Sequence, residues 1–92
     1  MLISELLIAS QGLDQKRQVV WRQQGEEYQP LTGITASKEG FFLYYEKNES
    51  NLDLGALQVL LSKLEHDGRI FLPDKRPVLG YQIFQPTIIC LN

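Results

Sequence analysis

The chain has 92 residues, which suffices for one domain and is too short for two independently stable ones. Hydrophobic residues make up 43% of the chain and charged residues 22%, a composition that excludes an intrinsically disordered chain. Nine Lys and Arg stand against eleven Asp and Glu, and the resulting net charge of -2 lacks the basic excess that is typical of nucleic-acid-binding proteins.

The cysteine count and the apolar runs bear on cellular location. Because Cys90 is the one cysteine, no intrachain disulfide can form, which favours a reducing compartment. Residues 1–9 are apolar but include Glu5 and lack a basic leader, and no later apolar run approaches the roughly 20 residues that span a bilayer. We therefore expect a cytoplasmic protein with no signal peptide and no membrane partner.

The first half of the chain predicts a helix followed by three strands. Apolar residues recur at spacings of three and four across residues 2–10, which is typical of an amphipathic helix, and Gly12 is a suitable stop. Runs rich in β-branched and aromatic residues then predict strands at 18–22, 28–36 and 40–46. The short loops between these strands favour antiparallel pairing.

The second half predicts the same succession after the polar segment 47–51. A stripe of leucines from Leu54 to Leu64 predicts a helix that Asn51 or Asp53 caps, and the pair at 67–68, Asp-Gly, ends it. Strands are predicted at 69–72, 78–84 and 87–91.

The two halves align with each other. The offset from Val19 to Ile70, 51 residues, also aligns the apolar stripes of the two helices. The offset from Pro30 to Pro77, 47 residues, places Pro-Leu-Thr-Gly-Ile on Pro-Val-Leu-Gly-Tyr. We predict an internal duplication with repeats at about 2–46 and 52–92.

These elements predict an α+β fold. We expect a mainly antiparallel sheet with two helices on one face, built from two α-β-β-β repeats with approximate twofold symmetry. Segment 47–51 is too short for the halves to act as separate domains, and one such half would be marginal alone. The prediction is therefore a single domain, 1–92, with one shared core.

Residues that could carry chemistry are few. His66 is the only histidine, and its place near a helix end is favoured by the helix dipole alone. Cys90 lies in an apolar strand, as is typical of a core cysteine. Gly33 and Gly80 occupy matching strand positions outside any phosphate-binding motif, which favours a bulge or a close backbone approach. We expect a protein that is not an enzyme and has no catalytic residue, metal site or cofactor.

The aromatic run at 41–45 predicts an interaction surface. Its large apolar side chains fall on both faces of one strand, whereas two helices cover only one face of a sheet. We expect the other face to bind another protein or a second copy of the chain as a homodimer. The predicted interface residues are Trp21, Phe41, Phe42, Tyr44 and Tyr45.

An alternative prediction is nucleic-acid binding at the strand ends. Basic residues flank the first strand of each half, and a twofold arrangement would join them into one rim with Trp21 and Tyr28 as stacking faces. Acidic neighbours make this alternative the less favoured one. The rim would consist of Lys16, Arg17, Arg22, Arg69, Lys75 and Arg76.

A weak resemblance accompanies these patterns. The segments Leu2-Ile3-Ser4-Glu5-Leu6-Leu7, Leu13-Asp14, Val19-Val20 and Pro30-Leu31-Thr32-Gly33-Ile34 resemble small uncharacterised bacterial and phage proteins. Those proteins begin with a short helix, continue to an apolar strand and carry a Leu-Thr-Gly strand. The resemblance implies an accessory or mobile-element protein and no particular activity.

Overall fold

The computed structural model describes residues 1–23, 25–83 and 85–92, which form two helices and seven strands in an α+β fold. This confirms the predicted fold class. In chain order the elements are α1 (Ile3–Ala9), β1 (Gln18–Trp21), β2 (Gln29–Pro30), β3 (Gly33–Ala36), β4 (Phe41–Tyr44), α2 (Leu54–Ser62), β5 (Ile70–Phe71), β6 (Tyr81–Ile83) and β7 (Ile88–Leu91).

The strands form two mixed sheets, so the prediction of a single sheet is wrong, although three of the five pairings between the described strands are antiparallel, as predicted. One sheet has the order β2-β1-β7-β6, and the other has the order β3-β4-β5. Each sheet, as described, contains one parallel pairing: β1 runs parallel to β7, and β4 runs parallel to β5. The reason is that the first strand of each half pairs with the last strand of the other half, which short-loop reasoning cannot anticipate.

The predicted strand at 28–36 is divided between the two sheets. Its first part, β2, pairs with β1, and its second part, β3, pairs with β4. Between them lie Leu31 and Thr32, both buried. The Leu52 amide donates to the Leu31 carbonyl (2.7 Å), and the Thr32 amide donates to the Tyr44 carbonyl (2.9 Å). These bonds pair the Leu31 carbonyl and the Thr32 amide in the interior, where an unpaired backbone group would be costly.

The helices do not lie on one face of a single sheet, and this part of the prediction is also wrong. Helix α1 packs against α2, and α2 packs against both β1 and β3, which belong to different sheets. The buried residues Leu54, Leu57 and Leu61 recur at three and four and form the inner stripe of α2. The helix ends at Ser62, before the predicted end at 67–68.

One hydrophobic cluster draws on both helices and both sheets. Its fully buried members include Val19 of β1, Leu43 of β4, Leu57 of α2, Ile70 of β5 and Ile89 of β7. Because these side chains come from both halves of the chain, each half completes the core of the other. Neither helix in the described part of the chain is long and apolar enough to cross a bilayer.

Candidate interaction surface

Strand β4 has one side chain row in the core and one row turned outward. Phe41 and Leu43 are buried, with 8% and 1% of their surface exposed, whereas Phe42 and Tyr44 are half-buried on the opposite face. A Cβ added at Gly68 would lie 2.8 Å from the Phe41 ring, so this ring is closely packed. The structure therefore places Phe41 in the core and leaves Phe42 and Tyr44 half-buried on the opposite face.

Phe42 stacks on a residue that the sequence prediction did not include. Phe42 of β4 and Phe71 of β5 are direct neighbours in the parallel pairing. Their ring centroids lie 4.8 Å apart with an interplanar angle of 17°. Phe71 was missed because the pairing of β4 with β5 joins the two halves, and no local signal reveals it. We call Phe42, Tyr44 and Phe71 the outer aromatic face.

Tyr44 is held in place on this face by three contacts. Its ring lies on Gly33, the residue it pairs with in β3, where any added Cβ would overlap the ring. Its hydroxyl donates to the Glu49 carboxylate, with both carboxylate oxygens 3.2 Å away. Partial burial raises the pKa of the Tyr44 phenol, and the negative charges of Glu49 and Glu46 raise it further. Tyr44 therefore stays neutral at physiological pH and is preorganised.

Trp21 and Tyr45 line a cleft whose described lining contains no residue of the outer aromatic face. This cleft, which we call the Trp21 cleft, has a volume of about 290 Å³ and lies beyond the ends of β1 and β4. Trp21 has 8% of its surface exposed, and no group in the described part of the chain forms a hydrogen bond with its indole Nε1–H. Tyr45 has 50% exposed. The described residues that line it are Trp21, Gln23, Glu26, Gln29, Tyr45 and Pro73.

A larger and more open hollow of about 830 Å³ lies between the two helices. Its floor is bridged by Gln58 of α2, whose amide donates to the Ser10 hydroxyl (3.0 Å) and whose carbonyl accepts from Gln15 (3.3 Å). These polar side chains satisfy one another, so the hollow is explained by helix packing.

The predicted basic rim is brought together only in part. The Arg76 guanidinium donates to the Arg22 carbonyl (2.9 Å) and pairs with the Asp74 carboxylate (2.6 Å). The Arg22 guanidinium lies over the Tyr28 ring, 4.9 Å from its centroid. Exposed Lys75 lies in the same turn, with φ at 72°. These groups form a small mixed-charge cluster and not a purely basic surface.

The other basic residues lie at the opposite ends of β1 and β5. Arg17 donates from Nη1 to the carbonyls of Gln85 (3.0 Å) and Ile88 (3.3 Å), and so anchors the start of β7. Exposed Lys16 precedes Arg17, and exposed Arg69 precedes β5. Arg17 thus has a structural role that accounts for its charge.

The residues considered for chemistry, His66, Cys90, Gly33 and Gly80, differ in their exposure and packing. His66 is exposed, and Cys90 is buried with 4% of its surface exposed. Burial raises the pKa of the Cys90 thiol, and the charge of Arg22 opposes the shift. A Cβ at Gly80 would meet no atom closer than 3.9 Å, in contrast to Gly33. Within residues 1–23, 25–83 and 85–92, no group of three or more His, Cys, Asp or Glu is placed to hold a metal ion.

The resemblance to small bacterial and phage proteins stays a prediction. Comparison of the chain with protein-family models, with curated proteins and with solved structures finds no match.

Proposed function

We propose that the chain is a non-catalytic protein-interaction module that binds its partner through the outer aromatic face. The observation that carries this proposal is the stacked pair of Phe42 and Phe71 on the side of the three-stranded sheet away from the core. Both rings are half-buried in the isolated chain, so a partner can remove their remaining apolar surface from water.

Apolar burial on this face would favour association. Removal of apolar surface from water contributes about 25 cal/mol for each Å². Aromatic residues are enriched at the centre of protein interfaces, where they dominate the binding energy. Tyr44 loses little rotamer freedom on binding because Gly33 and Glu49 already hold it.

The charges around the face favour a partner with a basic rim. Glu46 and Glu49 lie close enough to Tyr44 to act on its ionisation. A partner that presents an apolar patch bordered by Lys or Arg would match this arrangement. The partner is another protein or a second copy of the chain, and self-association is tested first because it requires no second component.

The proposal includes an internal duplication, which several contacts support. Val19 pairs with Ile89, and Ile70 pairs with Phe41, so each half lends its first strand to the other half's last strand. Because Val19 aligns with Ile70, these two pairings are equivalent when Phe41 aligns with Ile89. That alignment is an offset of 48, one residue more than the predicted 47. Three further contact pairs agree with the offsets of 51 and 47: Leu2–Arg69 with Asp53–Gln18, Ile3–Gly68 with Leu54–Arg17, and Val20–Pro30 with Phe71–Pro77.

Sedimentation velocity at micromolar concentration tests the self-association arm. We expect the wild-type chain to sediment as a dimer and Phe42→Glu to sediment as a folded monomer. Ile83→Glu is the matched control, because Ile83 is 40% exposed on edge strand β6 of the other sheet. It should leave the dimer intact.

The arm with a different partner protein is tested by affinity capture. A partner retained by the wild-type chain and by Ile83→Glu, but lost with Phe42→Glu, would support the outer aromatic face. A monomeric wild type with no such partner, together with sharply reduced stability of Phe42→Glu, would show that the face is ordinary core.

Nucleic-acid binding at the strand ends is the second candidate. It is favoured by one observation, the Arg22 guanidinium on the Tyr28 ring with Arg76 beside it. The ion pair of Arg76 with Asp74 weighs against it. If it holds, labelled single-stranded DNA should bind with an affinity that falls steeply with salt, and Arg22→Ala should reduce that slope. Binding that is absent at low salt would remove this candidate.

A further inference from the structure

We infer that the Trp21 cleft binds a proline-containing, extended segment of a protein partner. The cleft is separate from the outer aromatic face, so the inference goes beyond the proposed function and can fail independently of it. It starts from a polar group that the fold leaves unsatisfied. Trp21 lines the cleft and is more than nine-tenths buried, yet its indole Nε1–H has no acceptor among the residues that the structure describes.

A buried donor without an acceptor is costly, and native proteins rarely retain one without a reason. A ligand that supplies a carbonyl oxygen to Nε1 would remove this cost. Tyr45 also lines the cleft, and half of its surface is exposed. The inference requires the Tyr45 side chain to turn aside as a peptide enters, so that Nε1 becomes accessible.

The lining selects the kind of peptide. The indole of Trp21, the phenol ring of Tyr45 and the ring of Pro73 supply apolar surfaces, and aromatic-lined grooves are the common receptors of proline-rich segments. A polyproline II segment makes no internal hydrogen bonds, so its carbonyls are free to accept from an indole N–H. Its stiffness also lowers the entropy cost of binding.

The size and rim of the cleft limit the length of the bound segment and favour a particular charge next to the prolines. A volume of about 290 Å³ is at the lower end for ligand pockets, which fits one or two residues of a peptide. Exposed Gln23 and Gln29 can donate to further carbonyls, and exposed Glu26 is the one charged residue among the described lining residues. The neighbouring Arg22 lies on Tyr28. The rim therefore favours a basic residue next to the prolines.

The single tryptophan makes the test direct, because the chain has one indole N–H resonance. We expect a blocked oligoproline peptide ending in arginine to move this resonance downfield in a saturable way, as a new hydrogen bond would. A peptide of equal length with alanines in place of the prolines should cause much smaller changes. An indole resonance that stays in place up to millimolar peptide, or equal binding of both peptides, would overturn the inference.

Variants assign the binding to the cleft. By calorimetry we expect Tyr45→Ala and Trp21→Phe each to weaken binding about tenfold, the equivalent of one lost contact or hydrogen bond. Glu26→Gln should lower the preference for the arginine-terminated peptide. Val59→Ala, at a half-exposed position on α2, is the matched control and should bind as the wild type does. Since Tyr45 is exposed, its variant tests the site even if Trp21→Phe folds poorly.

A final comparison separates this site from the outer aromatic face. Phe42→Glu should leave the affinity for the oligoproline peptide unchanged, since Phe42 does not line the cleft. Loss of peptide binding in Tyr45→Ala with retained self-association would establish two independent surfaces. Equal peptide affinity in Tyr45→Ala and wild type would overturn the assignment to the cleft.

Discussion

The two sheets differ most at the corresponding pair of positions on their outer faces. In the four-stranded sheet this pair is Val20 and Cys90, which have 6% and 4% of their surface exposed. In the three-stranded sheet it is Phe42 and Phe71, which are both half-buried and stack on each other. Small side chains are thus hidden in one sheet, and large rings remain accessible in the other.

The difference follows from the strands on either side. The β1–β7 pair is flanked by β2 and β6, whereas the β4–β5 pair has β3 on one side and, beside β5, the isolated bridge from Phe71 to Pro77. β5 is an edge strand of its sheet as described, whereas β7 lies between two strands. The same kind of pairing is buried in one sheet and half-buried in the other.

The largest effect should separate the two faces of β4. Phe41→Ala should lower the free energy of unfolding by about 3–5 kcal/mol, because a core ring is replaced by a cavity. Phe42→Ala should lower it by about 1 kcal/mol, because its ring is half-buried. Urea denaturation measures both. Equal losses would show that the outer aromatic face is part of the core.

The next effect concerns two glycines that align in the predicted repeats. Gly33→Ala should cost about 1–3 kcal/mol, since its Cβ would overlap the Tyr44 ring. Gly80→Ala should instead stabilise the protein by about 0.4–1 kcal/mol, because space is open there and the unfolded chain loses freedom. Thermal or urea unfolding distinguishes the signs.

The Tyr44→Ala background identifies the cause of the Gly33 effect. With the ring removed, Gly33→Ala should no longer be destabilising. If the cost persists, the backbone of β3 and not the Tyr44 ring is responsible.

Thiol labelling compares the accessibility of position 90 in the four-stranded sheet with that of position 42 in the three-stranded sheet. Cys90 should react with a thiol reagent far more slowly in the native than in the unfolded chain, because it is buried and its raised pKa lowers the thiolate fraction. A cysteine placed at the corresponding position, in the double variant Phe42→Cys, Cys90→Val, should react much faster in the folded state. Similar rates would mean that the two outer faces are equally protected.

The smallest effect is at the start of α1, which is capped from the other half of the chain. The amide and hydroxyl of Ser4 donate to the Asp67 carboxylate, and these bonds lower the pKa of Asp67 below its ordinary value of 3.8. The stabilisation is therefore complete above pH 3.8 and is lost as the pH falls through the lowered pKa of the folded state. Asp67→Asn should be less stable than the wild type at neutral pH.

The difference between Asp67→Asn and wild type should shrink on acidification to about pH 2, which urea titrations at several pH values can follow. The cap of α1 by Asp67 contrasts with the cap of α2. Asp53 immediately precedes α2, and its side chain accepts from the Ala56 amide (2.7 Å). A difference between Asp67→Asn and wild type that does not vary with pH would argue against the ionised cap.

Several features could be predicted from the sequence because they depend on near neighbours. The leucine spacing located α2, and the apolar setting of Cys90 indicated burial, which the structure confirms. The end of α2 was predicted too late, because residues 63–66 give no strong stop signal. The split of strand 28–36 at Leu31 and Thr32 was missed, since it depends on hydrogen bonds to distant residues.

By itself, the sequence determined the kinds of elements, their order and the α+β class, because side-chain periodicity and turn chemistry act over a few residues. Only the tertiary structure decided that β1 pairs with β7 and β4 with β5, and hence that Phe71 joins Phe42 while Trp21 and Tyr45 line a cleft. Strand partners are chosen by burial in a shared core across long separations in the chain. Similar apolar strands offer several such pairings, and local patterns do not distinguish among them.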